Sequence, residues 1–163
     1  MRYAQGPTLT VEVVVDAPLD AVWALVTDIN LPARFSSEFL GATWVDASRG
    51  LGARFVGKNQ HKATGEWETT SIVNRYDPPR AFGWCVTDVE CPTSSWWFEL
   101  EEAPGGTRLV QGARMGPAPS GLSIAINAMP DKEERIIARR LSEFETNMRA
   151  TLEGIKQLAE ASV

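Results

Sequence analysis

His61 is the single histidine of the chain, and the one side chain whose ordinary pKa lies near neutrality. It is therefore the first candidate for moving a proton. It ends an alternating stretch in which Phe55, Gly57, Asn59 and His61 occupy every second position and so share one face of a strand. The same spacing groups Trp67, Thr69, Ser71 and Val73, then Phe82, Trp84 and Val86, then Trp96, Phe98 and Leu100, then Leu109, Gln111, Ala113 and Met115. Three tryptophans beside Asn59, His61, Thr69, Ser71 and Gln111 make a poor solid core, which Leu, Ile and Val fill better. Large aromatics with a few polar groups are what ligand cavities use. The alternative is that the tryptophans pack on a helix and the polar groups hydrogen-bond among themselves. Asp88 could orient His61 only if their strands approach. Glu66 and Glu68 share the opposite, solvent face, where a solvated pair is favoured over an acid/base couple.

The chain has no Gly-rich phosphate loop, no G-x-S-x-G and no H-E-x-x-H. One histidine rules out a multi-histidine metal site, and Cys85 and Cys91 fit no metal spacing or disulfide framework. Two free thiols are expected, with no metal and no cofactor. A net charge of −5 and a pI near 5.0 argue against nucleic-acid binding. No run reaches the roughly 18 apolar residues of a membrane span, and no signal peptide opens the chain, so a cytoplasmic location is expected. The length, 163 residues, suits a single domain over residues 1–163.

These faces need strands to carry them. Alternation marks one at Thr8–Asp16, and further ones from Leu40 to an end at Trp44–Ala47, then at Gly52–Lys62, Gly65–Tyr76, Arg80–Val89, Ser95–Glu102 and Thr107–Met115, divided by turn residues such as Pro104-Gly105-Gly106. Seven strands with short connections imply an antiparallel sheet. Pro18 can start a short helix through Val22 and Val26, and residues 28–39 read as a second short helix or turn. Trp97 falls on the outer face, which suggests a homodimer contact or cover by a loop. Residues 116–130 read as a short helix or flap. Asp131–Ala159 then carries Ile137, Leu141, Phe144, Met148, Leu152, Ile155 and Ala159 in one stripe, an amphipathic helix of roughly 40 Å. Asp131 and Glu134 suit a capping box, and Arg140 is expected on the wet side. The stripe should cover the sheet, with Phe144 and Met148 reaching the cavity.

The order of elements, the opening Val13–Trp23, the stretch Asp28–Phe35, and Gly52-Ala53-Arg54-Phe55, Trp96–Leu100 and Gly106–Leu109 resemble the START-like helix-grip superfamily, also called SRPBCC, in its polyketide cyclase/dehydrase and lipid-transport group. Phe35 stands where many members have tryptophan. The resemblance implies an α+β helix-grip fold. In it a curved seven-stranded antiparallel sheet wraps a long C-terminal helix, two short helices follow strand 1, and an apolar cavity lies between sheet and helix. It carries no shared catalytic motif. The leading expectation is binding of a small hydrophobic or aromatic ligand, polyketide-, lipid- or metabolite-like, by Phe55, Asn59, His61, Trp67, Thr69, Ser71, Trp84, Trp96, Phe98, Gln111, Met115, Phe144 and Met148. Residues 116–130 would gate access. Next comes a cyclase or dehydratase with His61 as base, and then a protein-interaction domain like the chaperone regulators of this fold.

Overall fold

Residues of alternating polarity form strands in the computed structural model, which describes residues 1–162. The strands are β1 (Thr8–Val15), β2 (Phe39–Trp44), β3 (Arg54–His61), β4 (Gly65–Asp77), β5 (Ala81–Val86), β6 (Ser94–Ala103) and β7 (Gly106–Met115). They make one sheet in the order β1-β7-β6-β5-β4-β3-β2, antiparallel throughout. Between β1 and β2 lie α1 (Leu19–Val26) and, at the place expected for a second short helix or turn, a 3-10 turn, Leu31–Arg34. After β7 come α2 (Gly121–Ala128), a 3-10 turn at Pro130–Lys132, and α3 (Glu133–Ala161).

The inner face follows the alternation. Phe55 pairs with Ser71, Asn59 with Trp67, Val73 with Trp84, Trp84 with Trp96 and Phe98 with Gln111. A bulge between Val73 and Arg75 changes parity only beyond the candidate residues of β4. It turns Arg75 outward, where it meets Glu99 at 3.0 Å. On the same outer face Arg108 bridges Glu12 at 2.6 Å and Glu101 at 2.7 Å. Trp97 also faces outward, and the chain itself accounts for it. A Cβ at Gly112 would lie 2.1 Å from the Trp97 indole, so the ring rests on that glycine.

The inner face closes on α3, which lies chiefly along β1, α1 and β7. Met148, Leu152, Ile155 and Ala159 are buried in one cluster with Val11, Val15, Val22, Phe82, Phe98 and Leu109, and Ile137 is buried in a second. Leu141 and Phe144 are only partly buried. With Tyr3 and Leu122 they pack on a smaller cluster of Met115, Ile126 and Ile137 beneath α2. The end of α3 also covers the β1 edge: Lys156 Nζ donates to the Val14 carbonyl at 2.9 Å, and Glu160 accepts the Asp16 N–H at 2.9 Å. The capping box at Asp131 does not form, because the chain makes a 3-10 turn there and the helix starts at Glu133. The Glu133 carboxylate accepts the Tyr3 N–H instead, at 2.7 Å.

Candidate functional site

In an antiparallel sheet of this order β3, β5 and β7 end where β2, β4 and β6 begin. His61, Gly65, the loop of residues 87–93, Met115 and the segment 116–130 therefore gather at one end of the sheet, the rim of the groove between its inner face and α3. Below that rim, Phe55, Phe82 and Phe98 surround Trp84 at ring-centroid distances of 5.9, 5.7 and 6.1 Å. Nearer the rim Trp96 packs on Phe144 of α3 at 4.9 Å. Phe82 and Phe98 are each 1% exposed, whereas Asn59, Trp67, Thr69, Trp84 and Trp96 all keep partial access to solvent. Met148 lies in the main core, and Met115 belongs to the cluster under α2.

The polar groups of this wall do not pair with one another. Among the described residues, the side chains of Asn59, Thr69, Ser71 and Gln111 make no hydrogen bond. Gln111 is 6% exposed, and its Oε1 is the one buried side-chain oxygen or nitrogen among the described residues without a partner. A buried amide oxygen left so costs about 1–3 kcal/mol, and its presence calls for an explanation.

His61 is engaged on both ring nitrogens. Nδ1 accepts the Ala63 N–H at 3.1 Å, so the proton of the neutral ring sits on Nε2. Nε2 faces the Glu143 carboxylate at 3.0 and 3.2 Å. Asp88 plays no part in this. β4 separates β5 from β3, and Asp88 lies past the end of β5, where it accepts the Glu90 N–H at 2.9 Å. The carboxylate that orients His61 comes from α3, across the groove.

Glu143 is also tied to Arg140, and here the expectation of an exposed arginine is overturned. The Arg140 side chain is 18% exposed. Its guanidinium forks onto both Glu38 oxygens at 2.7 Å, donates to Glu143 at 2.9 Å and lies 4.7 Å from the centroid of Phe144. The reason is positional: Arg140 flanks the apolar stripe on the side where the loop before β2 approaches α3. Burial works against its charge, but Glu38 and then Glu143 outweigh it, and its pKa stands above the ordinary value. Burial would likewise raise Glu143, yet bonds from Arg140 and His61 hold its carboxyl below the ordinary value. A third bridge joins Asn147 Oδ1 to the N–H and Oγ of Ser37 at 3.1 and 3.2 Å.

These bridges span the gap between α3 and the β2–β3 side of the sheet. Beside them lies a concave site of about 580 Å³, lined in part by Ser37, Glu38, Gln60, His61, Glu143 and Asn147. Alternation alone could place His61 on the inner face, and Arg140 and Glu143 form a visible i,i+3 pair on α3. Nothing in the sequence names Glu38 as the partner of Arg140, 102 residues away. Among the described residues, no three His, Cys, Asp or Glu side chains gather as metal ligands would.

The sequence matches the family described as polyketide cyclase / dehydrase and lipid transport over residues 7–160. Among solved structures, the polyketide-cyclase-like protein Cgl2372 of Corynebacterium glutamicum is 30% identical, with 96% of this chain and 93% of that one covered and a TM-score of 0.67. The di-domain ARO/CYC protein BexL from the BE-7585A biosynthetic pathway shares the fold at 22% identity and a TM-score of 0.71. That likeness covers 95% of this chain and 50% of BexL. Ara h 8.0201 shares the fold at 13% identity and a TM-score of 0.60, with 96% and 99% covered. No curated protein matches. With the helix-grip architecture and a family match along nearly its whole length, the chain belongs to the polyketide cyclase/dehydrase and lipid-transport family.

Proposed function

We propose that the chain binds a small, largely aromatic molecule bearing oxygen substituents, held between the inner face of the sheet and α3. The observation that carries this is the set of unpartnered polar side chains, Asn59, Thr69, Ser71 and Gln111, set among Trp67, Trp84, Trp96 and Phe98. An aromatic body would bury area against the rings, and its oxygens would take the bonds the chain leaves unmade. The names of the family and of Cgl2372, a polyketide-cyclase-like protein, support a polyketide-like molecule. A cyclisation or dehydration with His61 as base is the weaker reading, because neither ring nitrogen has a lone pair free to take a proton.

Titration with 1,8-dihydroxyanthraquinone tests the binding reading, since Trp84 and Trp96 report on the groove. Saturable quenching of tryptophan emission is expected, with a negative heat-capacity change. Anthracene, which has the rings without the oxygens, should bind more weakly. Emission that changes only linearly with either compound would refute the reading.

A further inference from the structure

The segment ahead of β1 makes one 3-10 turn, Tyr3–Gln5, and its tyrosine reaches the far side of the groove's rim. The Tyr3 hydroxyl donates to the Ala118 carbonyl at 2.7 Å and lies 3.3 Å from Ser120 Oγ and 3.5 Å from the Thr93 carbonyl. Ala118 and Ser120 belong to the stem that leads from β7 into α2, and Thr93 to the loop between β5 and β6. The same loop holds the stem by Gly116 N–H to Thr93 O at 2.8 Å and Ala118 N–H to Pro92 O at 2.9 Å. The backbone N–H of Tyr3 is fixed to Glu133 on the first turn of α3, and Arg2 pairs with the same carboxylate at 3.2 Å. One residue thus ties together the stem of α2, the β5–β6 loop and the start of α3.

What the stem carries is lightly held. α2 buries Ile126, while Ile124 is 76% and Met129 40% exposed. Its footing is the small cluster of Met115, Ile137, Leu141 and Phe144, and Phe144 in turn packs on Trp96 of the groove wall. The element over the rim therefore has few buried apolar contacts of its own, the character of a segment that opens locally.

We infer that Tyr3 latches residues 116–130 down over the groove, so that ligand exchange, on the binding function proposed above, waits on release of its hydroxyl. A latch that acts alike on free and loaded protein changes the rate of exchange and leaves affinity alone. Tyr3→Phe keeps the ring and removes the bonds. One hydrogen bond's net worth corresponds to roughly a three- to tenfold change. In the ligand-free variant, amide hydrogen exchange across residues 116–129 should quicken by that factor, with amides of β6 and β7 unchanged. Stopped-flow binding of 1,8-dihydroxyanthraquinone should show association and dissociation quickened together and Kd unmoved. Arg2→Ala, which loosens the same segment without touching the stem, should act in the same direction and more weakly. Unchanged lid exchange in Tyr3→Phe overturns the latch whether or not the dye binds. Faster lid exchange with unchanged dye kinetics overturns the link to access. Failure of the dye to bind the unaltered protein counts against the binding function, and the lid amides still decide whether Tyr3 holds the lid.

Discussion

Arg140 shows how far a single side chain can depart from its helical-wheel position. Its removal would leave Glu38 and Glu143 facing each other without a cation in a site only partly open to water. Arg140→Ala should therefore cost about 1–3 kcal/mol, below the range for a fully buried pair and above that for a surface one. The urea midpoint measures this, and a shift like that of Arg149→Ala, an exposed i,i+4 partner of Glu145, would show that the network carries no weight. Glu143 adds a pH dependence of definite sign. Its folded pKa is below its ordinary value of 4.5, so the stability it lends is present above that pH and is lost as pH falls through the folded value. Glu143→Gln should flatten the acid limb of the stability curve, with the two proteins converging at low pH. Parallel curves over the whole range would contradict it. The inward aim of His61 was legible from alternation because a strand has period two. Its partner was not, since an ion pair between distant elements leaves no local pattern in a sequence.

At the scale of elements, periodicity marked all seven strands and the long helix, and what it left open falls where geometry is set by one contact rather than by a repeat. Residues 28–39 contract to one 3-10 turn, whose end places Phe35 against α3. A Cβ at Gly154 would lie 2.4 Å from the Phe35 ring, so the glycine is required by that close approach in the middle of a helix. Gly154→Ala ought to gain about 1 kcal/mol from helix propensity. The clash should outweigh this, with a net loss of about 1–3 kcal/mol. The same substitution in a Phe35→Ala background should be neutral or stabilising, and equal losses in both backgrounds would sink the explanation. The apolar stripe of α3 also divides in a way the helical wheel does not show. Ile155, 1% exposed, lies in the main core, whereas Leu141 lies under α2. Ile155→Ala should cost about 3–5 kcal/mol and Leu141→Ala distinctly less, by urea unfolding.

For the molecule as a whole, the proposed binding function accounts for an inner face that gives up stability at one position. A chain built for stability alone would put an aliphatic residue at 111, opposite Phe98 and Val11, and leave no orphaned oxygen there. Alternation announced a polar residue at that position, but only the packed structure shows that nothing in the chain satisfies it. Gln111→Leu keeps a similar volume and removes the unmet acceptor, so the ligand-free protein should gain about 1 kcal/mol. The same change should weaken 1,8-dihydroxyanthraquinone, one of whose hydroxyls can turn from its own peri carbonyl to donate to Oε1, by up to roughly tenfold, as expected for one bond worth about 1.4 kcal/mol. Anthracene, with nothing to donate, should bind as well as before or better. Because a bound ligand stabilises by mass action, thermal melts with and without saturating dye read both effects in one experiment. The variant should melt higher alone and gain less from the dye. A variant that melts lower alone would mean that Gln111 is satisfied within the fold after all, and the groove would then lose its strongest mark as a place for a ligand.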